Sequence, residues 1–165
     1  MLNRTYLIDA FIPATSYTAN RTRPKPPYQK PDAVKELEKM ATDAARIKYP
    51  YTPHLAPRMF RDDTANHLTG CIVAYISLKG GFASRINSTG SFRTERGGFV
   101  PGCQRKGIAD IWGTYRGLSL QVEVKIGKDR QSEAQSKVEA DQQRAGGHYF
   151  IARNFSEFKN WFDQL

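Results

Sequence analysis

From Leu118 to Ile126 apolar and polar residues alternate without a miss. Leu118, Leu120, Val122, Val124 and Ile126 fall on one side, and Ser119, Gln121, Glu123 and Lys125 on the other. A period of two is the mark of a strand with one buried face. Residues at i and i+2 project together, so Glu123 and Lys125 stand side by side on the polar face. Upstream, Ile108 to Trp112 reads as a shorter strand carrying one charge, Asp110. Gly113 and Gly117 flank a short turn, which makes the two runs hairpin partners. Such a hairpin brings Asp110 next to Glu123. A carboxylate pair with an ammonium beside it can hold a divalent metal and an attacking water. Each residue also has a plainer reading: Asp110 as a surface acid near a turn, Glu123 and Lys125 as a solvated strand face.

The rest of the chain arranges itself around this hairpin. Residues 31–48 carry a helical stripe of Val34, Leu37, Met40, Ala41, Ala44 and Ile47, with Pro31 suited to the first turn. Thr64 to Lys79 is a second helix, its apolar face made by Leu68, Cys71, Ile72, Tyr75, Ile76 and Leu78, stopped by Gly80-Gly81. Phe82 to Asn87 is a short strand with Arg85 and Asn87 on one face. Residues 88–106 read as a long loop, a feature often functional in compact domains. After the hairpin, Ser132 and Gln135 make a capping box for a helix that carries Ala134, Val138 and Ala145 inward and closes at Gly146-Gly147. Tyr149 to Ala152 is a buried strand, and Ser156 caps a last helix docked by Phe158, Trp161, Phe162 and Leu165. The order from Thr64 onward is helix, three strands of an antiparallel meander, helix, a strand parallel to its neighbour, helix.

Charge bears on the partner. The net charge is +9. Residues 1–31 hold five Lys/Arg against one acid and residues 79–106 six against one, while 32–78 and 107–165 balance. Basic residues gathered beside a site attract polyanions. Arg85, Asn87, Arg93, Arg96, Arg105 and Lys106 are therefore the candidate nucleic-acid contacts. Arg-Thr-Arg-Pro-Lys-Pro-Pro at 21–27 is a basic arm, since its prolines lack amide donors. Cys71 and Cys103 form neither a disulfide framework nor a metal motif, so a reducing, cytoplasmic setting is expected. No apolar run approaches a membrane span. The three histidines are isolated, and Gly127-Lys128 lacks the spacing of a phosphate-binding loop.

With these residues in view, the chain resembles the PD-(D/E)XK nuclease superfamily. Its likeness is to the VRR-NUC and Holliday-junction-resolvase-like branch common in phages and mobile elements. The matching residues are Gly107-Ile-Ala-Asp110-Ile, Glu123-Val-Lys125 thirteen residues on, Gln131-Ser132-Glu-Ala-Gln135, and Gly146-Gly147 before a strand. Gly81-Phe-Ala-Ser-Arg85-Ile-Asn87 and Thr89-Gly90 resemble that branch's strand and turn before the site. The likeness covers about residues 64–155.

The resemblance implies an α/β, restriction-endonuclease-like core (αβββαβ, a mixed sheet flanked by helices) in residues 64–165, behind an N-terminal extension, 1–63, of basic arm and helix. It implies Asp110, Glu123 and the Val124 carbonyl as ligands of Mg²⁺ or Mn²⁺, and Lys125 as the group that orients or activates water. Gln135 matches the helix glutamine beside the site. Ala109 stands where the superfamily usually has proline, and helix 64–79 lacks the acid that many members carry there.

The expected activity is a metal-dependent endonuclease on branched or structured DNA, working as a homodimer where a junction is cut symmetrically. Against it stand a non-catalytic nucleic-acid-binding module on the same scaffold, and a partner-binding protein that docks through helix 31–48 and the proline arm.

Overall fold

The computed structural model describes residues 27–86, 91–93, 97–100 and 105–165. Four helices, α1 (Asp32–Lys48), α2 (Ala65–Leu78), α3 (Glu133–Arg144) and α4 (Phe155–Phe162), surround a four-stranded mixed sheet. Its strands are β1 (Phe82–Arg85), β4 (Ile111–Tyr115), β5 (Leu118–Val124) and β6 (His148–Ala152), in the spatial order β1-β4-β5-β6. The first three pair antiparallel and β6 runs parallel to β5, as the helical connection through α3 requires. Between β1 and β4, where the sequence reads as one long loop, β2 (Ser91–Arg93) and β3 (Gly98–Val100) pair as a separate antiparallel ribbon. Their glycine-rich, charged sequence has no alternation from which such short strands could be read.

The hairpin turn sits later than its flanking glycines suggest. Gly113 is not at the turn but inside β4, opposite Ala83 and Leu120. A Cβ there would lie 2.6 Å from the Phe82 carbonyl oxygen, so close strand approach explains the glycine. The turn is Arg116-Gly117, with φ of 48° and 82°. Two positive φ values in a two-residue connection match the twist of the flanking strands. Asp110 consequently stands just before β4 rather than within it.

The apolar side of the hairpin does what the alternation demands. Ile111, Tyr115, Leu120, Val122 and Val124 are buried in one cluster with Leu68, Ile72, Tyr75 and Ile76 of α2 and Phe155, Phe158 and Phe162 of α4. α1 joins the same cluster through Val34 and Leu37, so the segment before residue 64 contributes to the core. Ile47, counted in its stripe, is instead 82% exposed near the helix end. Tyr75 makes edge-to-face contacts with Phe155 and Phe162 at 5.5 and 5.7 Å. Its hydroxyl donates to Asp163 Oδ1 at 2.6 Å, locking α4 to α2. α4 is capped by Asn154, whose side chain accepts from Glu157 N, and not by Ser156, which lies within the helix. Asparagine takes extended backbone at a cap readily, and here it starts the helix two residues early.

Asp62 ties the N-terminal part down. It is buried, accepts from the Tyr28 hydroxyl at 2.8 Å and from the Phe155 amide at 3.1 Å. Burial, and then the bond to Asp62, push the Tyr28 phenol up to about 12. No described helix is long and apolar enough to cross a membrane.

The Tyr75–Asp163 bond yields a stability prediction. Tyr75→Phe keeps the aromatic packing and removes one donor from Asp163, which retains Lys79 and Lys159, so it should lower unfolding free energy by about 1 kcal/mol in denaturant titration. An unchanged midpoint would show that the bond contributes nothing.

Candidate functional site

The polar side of β5 is not solvated. α3 lies across it, and the helix holds on with amides more than with apolar groups. Gln142 Nε2 donates to Ser119 Oγ at 3.0 Å, and Gln121 Nε2 donates to Gln142 Oε1 at 3.2 Å. Only Val138 of α3 is fully buried, in a small cluster with Ala109 and Tyr149 against which Ile151 packs. Ala134 is partly buried, while Ala145, expected inward, is exposed at the end of α3. Gly107, at φ 83°, approaches the first turn of α3 so closely that a Cβ would lie 2.3 Å from the Ala134 carbonyl oxygen. Glycine is required there for both space and backbone conformation.

Under this helix the hairpin register assembles the site. Ile111 pairs with Val122, and on the β1 side the Ile86 amide donates to the Asp110 carbonyl at 2.7 Å, which keeps Asp110 in line with the sheet one residue before β4. Asp110 is thereby opposite Glu123, on the same side of the sheet. Asp110 Oδ2 accepts from the Val124 amide at 2.9 Å, which fixes the carboxylate against the end of β5. Glu123 is 2% exposed. Its Oε1 is 2.8 Å from Lys125 Nζ and also accepts from Gln135 Nε2. Its Oε2 is buried and has no hydrogen-bond partner among the described residues. Burial holds the Glu123 carboxyl above its ordinary range; Lys125 opposes this, and the Asp110 charge adds to it.

Gln135 joins the parts. As the third residue of α3 it completes the capping box with Ser132, its Oε1 accepting from Ser132 N at 2.9 Å. The same oxygen accepts from Lys125 Nζ at 3.1 Å while its amide nitrogen serves Glu123. Capping and site contact are thus one side chain's work. The helix cannot start elsewhere without releasing the glutamate and the lysine.

The basic candidates separate. Arg105 is ion-paired with Asp141 of α3 at 2.7 Å, and Lys106 is exposed beside Gly107. Arg85 pairs with Ile111, whose side chain is in the core, so alternation puts Arg85 on the sheet face opposite Asp110. Asn87, Arg96 and the side chain of Arg93 lie outside the described residues. Asp62 serves Tyr28 and Phe155, and Asp63 is bonded to Arg61 and His67, so neither joins the Asp110–Glu123 pair. Among the described residues no three His, Cys, Asp or Glu side chains group as a metal site.

Sequence reasoning missed Tyr149. It pairs with Gln121 on the site's side of the sheet, and its hydroxyl is buried without a partner among the described residues. Burial, then the Glu123 charge, push its phenol up. The residue was visible only as one apolar position in a buried strand, and nothing in a single strand tells which neighbour it meets. No protein-family model matches the chain, and neither a curated protein nor a solved structure matches it.

Two predictions follow from these contacts. Because folding raises the Glu123 pKa, ionised Glu123 costs the metal-free protein stability, a cost absent below its ordinary value near 4.5 and complete above the raised one. Glu123→Gln should therefore melt higher than wild type at pH 8, with the gap shrinking as pH falls towards 4.5; a gap independent of pH would refute the assignment. Gly107→Ala should destabilise by about 1–3 kcal/mol in denaturant titration, since the added methyl must push back the start of α3.

Proposed function

We propose that the chain is a metal-dependent nuclease that hydrolyses DNA phosphodiester bonds, an endonuclease acting on branched or structured DNA. The observation that carries this reading is the buried Oε2 of Glu123, unpartnered among the described residues, beside the Asp110 carboxylate. A buried anionic oxygen with no donor is costly unless a cation meets it. The neighbouring donors are all oxygens, which suits Mg²⁺ or Mn²⁺ rather than zinc. Asp110, Glu123 and the Val124 carbonyl would hold the ion. When bound, it would supply Lewis-acid polarisation of a phosphoryl oxygen and a more acidic water.

The protein's own groups have distinct tasks. The Val124 amide holds Asp110 by one oxygen and leaves the other for ligation. Gln135 and Glu123 anchor Lys125, so its ammonium is aimed without a search through rotamers. From that position Lys125 can orient the attacking water and offset charge that builds on the phosphate. Gln135 is a positioning residue, acting through Lys125 and Glu123. The excess of basic residues in 79–106 favours a polyanionic substrate. The order α2-β1-β4-β5-α3-β6 also agrees with a restriction-endonuclease-like core in which β2 and β3 are an insertion, and that identity is part of the proposal. Symmetric cutting of a junction needs two such sites, hence a homodimer.

A second reading has one observation in its favour. α2 carries no acid, so the nuclease-like scaffold lacks one carboxylate and would serve as a nucleic-acid-binding module without chemistry. Incubating the purified chain with Mg²⁺ or Mn²⁺ and a panel of duplex, flap and four-way DNAs separates the two. Cleavage is expected, falling to background in Asp110→Ala and Glu123→Ala and by about 10- to 100-fold in Gln135→Ala. Salt-sensitive binding with no products at any metal concentration would establish the binding module instead.

A further inference from the structure

Among the described residues, the face of the sheet that carries Asp110 and Glu123 is only half covered. α3 reaches as far as β5, where Gln142 holds Ser119 and Gln121. Beyond it, on β4 and β1, the same face continues through Trp112, which pairs with Gln121 on one side and Ser84 on the other. Phe82, two residues from Ser84, shares this face. Phe82 is 57% exposed and Trp112 is 42% exposed, and their rings meet edge-to-face with centroids 6.2 Å apart. They lie outside the main apolar cluster, whose aromatic members on the other face are buried. Each ring fixes the other's rotamer without hiding it.

Trp112 is two residues after Asp110 on a common face, which sets their Cα atoms roughly 7 Å apart along the strand. A group stacked on the indole would therefore sit immediately beside whatever occupies the carboxylate pair.

We propose that Trp112, buttressed by Phe82, is a stacking platform for an unpaired nucleobase of the DNA strand whose phosphate lies at Asp110 and Glu123. This rests on the nuclease reading and narrows its substrate class to DNA with unpaired nucleotides at the cut. Three observations favour this occupant. The platform is continuous with the carboxylate site, the chain's basic excess ends immediately upstream of that site in Arg105 and Lys106, and the exposed groups are aromatic rings. An unpaired base offers its π face to an aromatic ring, and such stacking tolerates any sequence. In a closed duplex that face is occupied by the neighbouring base pairs, so the platform discriminates by strand pairing.

The test uses the full chain in EDTA, so that binding is read without turnover. The probes are a labelled oligothymidylate and a blunt duplex of equal length, followed by anisotropy and tryptophan fluorescence. The oligothymidylate should quench the wild type, and Trp112→Phe should lose the quenching while keeping most of the affinity. Trp161, stacked on Phe150 at 4.6 Å, supplies the unquenched remainder. Trp112→Ala should weaken single-strand binding roughly ten-fold and duplex binding far less, with the salt dependence of binding unchanged. Equal loss on both probes, or wild-type single-strand affinity in Trp112→Ala, would overturn the proposal. So would a change confined to sedimentation, which would assign the pair to contact between two copies.

A parallel cleavage assay with metal keeps the two readings apart. Asp110-dependent cutting with Trp112-independent strand binding would remove the platform and leave the nuclease. Trp112-dependent strand binding without cutting would do the reverse.

Discussion

Glu123 is a carboxyl group sealed under a helix, and the surrounding structure is arranged to tolerate it. One oxygen is shared by the Lys125 ammonium and the Gln135 amide; the other has no described partner. Burying a carboxylate costs several kcal/mol unless charge and hydrogen bonds offset the lost hydration. Here the offset is half complete. Natural proteins keep such incomplete sites where a ligand completes them, and the stability given up at Glu123 is the physical basis of the proposed cation site.

That arrangement depends on α3 more than on the strands. The helix is polar, and an apolar stripe alone would not hold it. Its first turn is placed by Gly107 and its start by the Ser132–Gln135 capping box, while its last turns are placed by Gln142 and Asp141. Hydrogen bonds are directional, so they set the position of Gln135 more narrowly than apolar contact would. The opposite face works by other means. There α1, α2 and α4 bury phenylalanines, leucines and isoleucines against the sheet, and stability is concentrated away from the Asp110–Glu123 pair. One side of the sheet gives cohesion, and the other gives geometry.

The half-covered polar face has a further consequence. α3 shields Glu123 from water, whereas β4 and β1 leave Trp112 and Phe82 open beside Asp110. A buried carboxylate bordered by exposed aromatic rings makes this face chemically asymmetric along one strand.

Most of this was legible in the chain to the extent that local rules govern it. The alternation of 118–126 determined β5 and its two faces, because a strand's side chains can only point two ways. The Ser132–Gln135 spacing determined the start of α3, since the orphan amides of a first turn need an acceptor three residues away. The pairing of Asp110 with Glu123 needed the true turn: one flanked evenly by Gly113 and Gly117 would set Asp110 opposite Leu120, whereas the turn at Arg116-Gly117, with Ile111 opposite Val122, sets it opposite Glu123. Where two elements far apart in sequence meet, only tertiary structure decided. It chose which helix covers the polar face, turned Arg85 to the far side from Asp110, drew Arg105 to Asp141, and brought Tyr149 and the Phe82–Trp112 pair alongside the carboxylates. Periodicity assigns each residue to a face of its own element, but carries no information on what packs against that face.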